Sequence, residues 1–335
     1  MSITIKKIAK DLHLAVSTVS KALRDSHEIS TATKARVFAY AAQMDYVPNT
    51  YASSLKRRRS GNIAVVLPEV ADSFFSAAIN GIEEIAQEKG YHVMIYLTHE
   101  DVKKEQAIVR DFRNGRVDGV LMSVASNETD SGHLIDLKTR EIPLVFFDRI
   151  CEEVQTTSVV TNDYECGYNA TQHLIDRGCK GIAFLSLFND LPIVKNRQSG
   201  FQQALRDRGF DLQSNPILHL TNDEPDNRRK IRTLLEAKSR PDGIIGSVEK
   251  VTVQTYDVCQ AIQLSIPDDV KVLGFSHLQI AHLLHPSLTT IYQPAFEMGK
   301  MAASILFNTL EKKSSIVKKE QVVIPSTLVE RDSTK

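Results

Sequence analysis

Apolar residues recur at two different spacings along this chain, and the change falls near residue 60. Over the first 46 residues they lie three or four apart, the period of an amphipathic helix. Ile5, Ile8, Ala9 and Leu12 form one stripe behind Thr4, a residue type that caps helix starts. After a break at His13-Leu14-Ala15, Val16, Val19, Ala22 and Leu23 form a second. A third helix is expected from Ser30, with Ala35, Phe38, Ala41 and Ala42 inward and Pro48 ending it. Two short helices joined by a turn of about three residues and backed by a third make a helix-turn-helix plan.

From residue 62 short continuous apolar runs alternate with helical stretches. The runs are 63–68, 93–98, 119–124, 143–148, 158–163, 181–187, 217–220, 242–247 and 271–276. Helices begin near Ser73, Asp101 and Ser131, a long one covers about 294–312, and QVVIPSTLVE (321–330) reads as a last strand. Runs apolar on both faces and followed by helices indicate parallel sheets. They are too many for one compact sheet, and the rhythm restarts near residue 160. The expected architecture is therefore α/β: an all-α helix-turn-helix head (1–47), a hinge helix and linker (48–61), and a two-lobed core (62–335). One lobe takes 62–160 with part of the C-terminal region, the other 161–290 with the rest.

Charge sharpens this division. The chain is neutral overall, with 41 basic and 41 acidic side chains. Residues 1–60 hold eleven of the basic and four of the acidic ones, a net of +7 that the remainder balances at −7. A basic head on an acidic body suits binding to a polyanion. In LAVSTVSKALR (14–24), Ser17, Thr18 and Ser20 line the second helix although hydroxyl side chains are mediocre helix formers. There is no apolar run long enough to span a membrane and no h-region of a signal peptide at the start. The four cysteines form no C-x-x-C pair, so reduced buried thiols in a cytoplasmic protein are expected. His277, His282 and His285 do not share a helical face, and no phosphate loop or nucleophile motif is present; no metal, cofactor or enzymatic activity is expected.

The motifs TIKKIAKDLHLAVSTVSKAL (4–23), YVPNTYASSL (46–55), VDGVLM (117–122), IPLVFFDR (142–149) and HPSLTTIYQP (285–294) resemble the lactose-repressor (LacI/GalR) family of bacterial transcription regulators. The resemblance runs in order along practically the whole chain. It implies a core similar to periplasmic sugar-binding proteins, and a cytoplasmic, nucleoid-associated repressor without enzymatic activity. The implied partners are double-stranded DNA with a palindromic operator, a second copy of the chain, and a small effector, most simply a carbohydrate. The alternatives are a nucleoside or phosphorylated-metabolite effector, or a solute-binding or sugar-processing protein without DNA regulation. With no heptad tail after the last strand, a homodimer is expected rather than a tail-tethered tetramer.

Carried over by position, the resemblance makes Val16, Ser17 and Lys21 base-reading residues on a helix in the major groove. Thr4, Thr18, Ser20, Arg24, Ser30 and Thr33 become phosphate contacts. Leu55 becomes a minor-groove wedge, with Asn49, Ala52 and Lys56 beside it. Effector contacts fall on Phe74, Asp148, Arg197 and Gln293. Three places depart from the family pattern. His13 and Ala15 stand where a Gly or Asn and a capping hydroxyl are usual. Val248-Glu249 replaces Asn-Asp, and Ser276-His277 replaces an aspartate after Gly-Phe. Glu249 and Ser276 are accordingly counted with the effector contacts.

Overall fold

The computed structural model describes residues 3–46, 59–125, 131–312 and 319–335. The chain separates after Ser60 into two units. In the first, α1 (Ile5–Asp11), α2 (Val16–Ala22) and α3 (Thr31–Gln43) close around Ile8, Ala9, Val19, Ala22, Val37 and Ala41. Thr4 caps α1, its Oγ1 accepting from the Lys7 N–H at 3.3 Å. His13 adopts a left-handed φ of 57°, and the Leu14 N–H returns to the Ala9 carbonyl at 2.9 Å, so α1 stops in a Schellman turn.

The third helix differs from the expectation in two ways. Its inward face is Val37, Tyr40 and Ala41, while Ala35, Phe38 and Ala42 are exposed. Both stripes have helical period; the choice is fixed by Tyr40, whose hydroxyl donates to Asp11 on α1 at 2.5 Å. The helix also ends at Gln43 rather than at Pro48, which lies outside the described residues. Asp45 takes a left-handed φ of 46° and the Tyr46 N–H returns to the Ala41 carbonyl at 2.9 Å, a second Schellman turn.

The second unit contains two six-stranded sheets. The first has the order β11-β5-β4-β3-β1-β2 and is parallel throughout. Its strands are β1 (Asn62–Leu67), β2 (His92–Leu97), β3 (Gly119–Met122), β4 (Leu144–Phe147), β5 (Ser158–Val160) and β11 (Gln321–Val323). The second has the order β12-β10-β9-β8-β6-β7, parallel except for its edge strand β12. It comprises β6 (Ile182–Ser186), β7 (Ile217–His219), β8 (Gly243–Gly246), β9 (Lys271–Phe275), β10 (Thr289–Tyr292) and β12 (Thr327–Val329). Helices α4 (Ser73–Glu88), α5 (Val102–Asp111), α6 (Gly132–Thr139) and α11 (Ala295–Glu311) cover the first sheet. Helices α7 (Asp163–Asp176), α8 (Pro192–Asp207), α9 (Glu224–Glu236) and α10 (Glu249–Ala261) cover the second. Strands β3, β4, β6 and β8 are buried at every position, which is why they read as unbroken apolar runs.

Two expectations are corrected at the C-terminal end. Residues 289–292, outside the runs expected as strands, are a strand. The single strand expected over 321–330 is two strands in different sheets. Pro325 has no N–H to continue a ladder, and the chain changes lobe there. The chain therefore passes between lobes three times, after β5, after β10 and between β11 and β12. The first and last of these strands of chain are tied together: the Ser326 N–H donates to Asn162 Oδ1 at 2.8 Å and the Ile324 N–H to the Val160 carbonyl at 2.9 Å.

Helices α7 and α8 approach closely enough to need glycine where they cross. A Cβ on Gly200 would stand 2.0 Å from the Tyr164 carbonyl oxygen, and one on Gly167 would stand 2.1 Å from that of Arg197. Gly200→Ala must push the helices apart. It is expected to cost about 2 kcal/mol or more, read as a lower urea midpoint with an unchanged m-value.

Candidate DNA-reading helix and ligand cleft

Helix α2 displays the side chains expected to meet bases. Val16, Ser17 and Lys21 are exposed, as is Arg24 just past the helix, while Thr18 and Ser20 are half-buried. Val19 and Ala22, on the opposite face, fill the core of the unit. Val16 stands 43% exposed, an apolar side chain left in water at the helix start. Lys21 is not free: its ammonium pairs with Glu28 across the turn before α3. Ser30 caps α3, accepting from the Thr33 N–H at 3.3 Å, with the two hydroxyls 2.9 Å apart. Asn49, Ala52, Leu55 and Lys56 lie outside the described residues.

In the two-sheet unit all six expected effector contacts, Phe74, Asp148, Arg197, Glu249, Ser276 and Gln293, line one cleft. Its empty space, counting the open mouth, is about 380 Å3. The cleft lies where ligands of open parallel sheets bind, beyond the carboxyl ends of the strands. Asp148 follows β4, Ser276 follows β9, and Glu249 opens α10 just after β8. Glu249 Oε2 accepts from the Ser276 hydroxyl at 2.5 Å and from the Ser73 hydroxyl at 2.8 Å. Ser73 opens α4 on the first sheet, so that bond spans the cleft from lobe to lobe. Arg197 is 1% exposed; its Nε donates to Asp163 at 2.7 Å, Nη1 to the Ser247 carbonyl at 2.6 Å, and its guanidinium lies 4.1 Å from the Phe275 ring centre.

Asp72, Phe75, Arg149 and Phe275 also line the cleft and were not singled out by the sequence, and His277, noted there only as a departure from the family pattern and a rejected metal ligand, lines it too. Asp72 caps α4 through the Phe74 N–H at 2.8 Å. An acidic cap just after a strand was the signal available. Arg149 makes a two-pronged pair with Glu100, at 2.9 and 2.8 Å, and lies over the rings of Phe75 in its own lobe and Phe188 in the other. His277 stacks on Tyr292, its Nδ1 held 2.9 Å from the Gln293 carbonyl. Asp148, Glu100, His99 and Phe188 all have left-handed φ near 60°, backbone strain of the kind that gathers at binding sites. Burial pushes the Asp148 carboxyl up to about 6, against the pull of Arg149 and Arg197. Burial also raises the Asp72 carboxyl, and the neighbouring Glu249 charge adds to it.

Comparison with known proteins gives this arrangement its relatives. Residues 4–49 match the family model for bacterial regulatory proteins of the lacI family. Residues 60–332 match that for periplasmic binding proteins and the sugar binding domain of the LacI family. The chain belongs to the LacI family. A ribose operon repressor of Halalkalibacterium halodurans is 27% identical over 99% of this chain and 97% of its own length. The transcriptional regulator DegA of Bacillus subtilis is 28% identical over 100% and 98%. The fold matches the lac repressor dimer bound to operator with a TM-score of 0.86 at 19% identity, covering 100% of this chain and 99% of that one. A LacI family regulator from Enterococcus faecium with bound ribose gives 0.72 at 23%, covering 81% and 98%. The protein is thus a DNA-binding transcriptional regulator, and its relatives are named as regulators rather than enzymes.

Against the usual LacI pattern, the departures have visible structural consequences. Ala15 is the cap residue of α2 and offers no side-chain acceptor to its first N–H groups. Replacing a good cap by alanine costs helices about 1 kcal/mol, so α2 depends more on burying Val19 and Ala22. In the cleft, Ser276 stands in the family's aspartate position and donates to Glu249, which returns a carboxylate to the site from the neighbouring helix.

Glu28→Gln releases Lys21 while leaving the helix core untouched. Exposed pairs of this kind contribute little individually, and DNA binding is expected to tighten by about two- to fivefold in fluorescence anisotropy. Asp148→Asn addresses the buried carboxyl and tolerates its left-handed backbone. The folded protein holds the Asp148 proton up to about pH 6, the unfolded chain only to about 3.8. Stability therefore falls as pH rises from about 4 to 6, and the full penalty persists above that. The asparagine variant is expected to be more stable at pH 7 by on the order of 2 kcal/mol, a gain that disappears in melts near pH 4.

Proposed function

We propose that this protein is a cytoplasmic homodimeric repressor that binds a palindromic operator and releases or grips it according to a small effector, most simply a saccharide, in the inter-lobe cleft. The observation that carries the reading is the convergence of six sequence-separated residues on one cleft, with a carboxylate bridging its two lobes. Phe74, Asp148, Arg197, Glu249, Ser276 and Gln293 serve as its effector contacts. Relatives include a protein named as a ribose operon repressor and a LacI family structure with bound ribose, which supports a sugar. Among the described residues no helix is long and apolar enough to cross a membrane.

On the DNA side, the exposed Val16, Ser17 and Lys21 read base edges. Val16 suits a thymine methyl, Ser17 several bases, and Lys21 guanine. Thr4, Thr18, Ser20, Arg24, Ser30 and Thr33 hold phosphates and set register. Asn49, Ala52, Leu55 and Lys56 belong to the hinge segment, Leu55 entering the minor groove. Effector binding changes lobe closure, and with it the operator affinity of the dimer.

Base-substituted operators separate the two classes of contact. Lys21→Ala is expected to lose affinity for the wild-type operator and to relax preference at one base pair per half-site. Arg24→Ala is expected to weaken binding to all sequences alike and to lower the salt slope by about one. Equal losses from both variants on every sequence would count against Lys21 as a base reader.

A further inference from the structure

The charges of the cleft are unevenly answered. Each arginine has a carboxylate of its own, Glu100 for Arg149 and Asp163 for Arg197. Three more carboxylates, Asp72, Asp148 and Glu249, face the same space. Asp148 accepts from the Ser123 hydroxyl at 3.3 Å and has Arg149 Nε at 3.8 Å, the latter too long for a hydrogen bond. Asp72 is held by one backbone N–H and Glu249 by two serine hydroxyls, all neutral donors.

A second observation points separately to an occupant. Arg197 Nη2 and Arg149 Nε are out of water and have no hydrogen-bond partner, although both side chains are at least nine-tenths buried and line the cleft. A buried N–H without an acceptor is destabilising, so an occupant is expected to bring oxygen acceptors. A phosphate or carboxylate would supply them only by setting another negative charge among three carboxylates. Hydroxyl oxygens supply them at no such cost.

We infer, resting on the effector-cleft reading above, that the ligand is an amine-bearing sugar whose ammonium is held among Asp72, Asp148 and Glu249 while its hydroxyl oxygens accept from Arg149 and Arg197. The rings of Phe74 and Phe75 line the same cleft and suit the apolar face of a pyranose and the flank of a cation. Burial raises the Asp148 and Asp72 carboxyls, and a cation seated beside them would favour their charged forms. Neutral hexoses would satisfy the arginines but leave that charge standing, and phosphorylated metabolites would add to it.

The test is isothermal titration at pH 7 of the full chain with matched sugars in the gluco, galacto and manno series. Each series contains the hexose, its 2-amino-2-deoxy form, the N-acetyl form and the hexose 6-phosphate. At least one amino sugar is expected to bind about tenfold or more tighter than its hexose and N-acetyl counterparts. Asp72→Asn, which keeps a helix-capping side chain, and Glu249→Gln should each cut that preference severalfold, with melting curves confirming the fold. Hexose or phosphate ester binding as tightly as the amine, absence of amino-sugar binding, or a preference unchanged in both variants overturns the proposal. Operator anisotropy with the same sugars separates the two levels. A neutral hexose that binds and alters operator affinity keeps the effector reading and ends the amine assignment. An amino sugar that binds without altering operator affinity supports the assignment and counts against the effector reading.

Discussion

Asp148, Arg149, Asp163 and Arg197 are four charged side chains held almost entirely out of water in and beside one cleft. A buried charge persists only where a partner and further hydrogen bonds replace its hydration, and for the two arginines the surrounding chain is arranged to provide them. Glu100 meets both donors of Arg149 Nη1 from a loop that holds two consecutive residues, His99 and Glu100, in left-handed conformation. Arg197 is fixed by Asp163 at the start of α7, by the Ser247 carbonyl, and by the Phe275 ring. The glycine-mediated contact of α7 with α8 is what brings Asp163 and Arg197 within 2.7 Å. Fold details far from the cleft therefore serve to keep its two arginines paired.

Among the described residues, the same arrangement leaves relatively little joining the lobes. Each hydrophobic cluster belongs to one sheet and its covering helices. Across the cleft run the Ser73–Glu249 hydrogen bond and the stacking of Arg149 on Phe188. Beyond these stand the three crossing segments, two of them joined through Asn162 and Ser326. Segments of that kind act as hinges, absorbing backbone rotation while the packed lobes move as bodies. A ligand seated as proposed, on Asp148 and Arg149 from one lobe and on Arg197 and Glu249 from the other, would compete with those light contacts directly. The free energy available for switching is then the difference between ligand contacts in the closed and open states.

Much of this was legible in the residues because parallel strands buried on both faces are unbroken apolar words. Strands β3, β4, β6 and β8 could be read on that ground alone. Strand β10 could not, since Thr289 and Thr290 are polar by type and buried only through partners such as Thr334 and Arg331. The register of α3 was ambiguous because two stripes share one period, and a contact 29 residues away decides between them. The six cleft residues were found by resemblance, position by position. Their pairing was not readable at all: Ser73 and Glu249 lie 176 residues apart, and nothing local to either announces the other.

The chain is neutral overall, but its first sixty residues carry eleven basic side chains against four acidic ones, an excess that favours attraction to DNA. Three of those acids, Asp11, Asp25 and Glu28, already hold Lys7, Lys34 and Lys21 in the unbound head. Each such pair lowers non-specific attraction to phosphate, yet Lys21 sits where base discrimination is expected. A lysine that must leave Glu28 before it meets a base trades affinity on every sequence for a larger relative gain on the right one. The missing cap at Ala15 acts in the same direction. Helix α2 is held by the burial of Val19 and Ala22 against its neighbours rather than by its own termini, so its fine placement follows the packing of the whole head. If α2 reads the operator as proposed, its placement depends on the packing of the whole three-helix unit, and substitutions in that core should alter operator choice as well as stability.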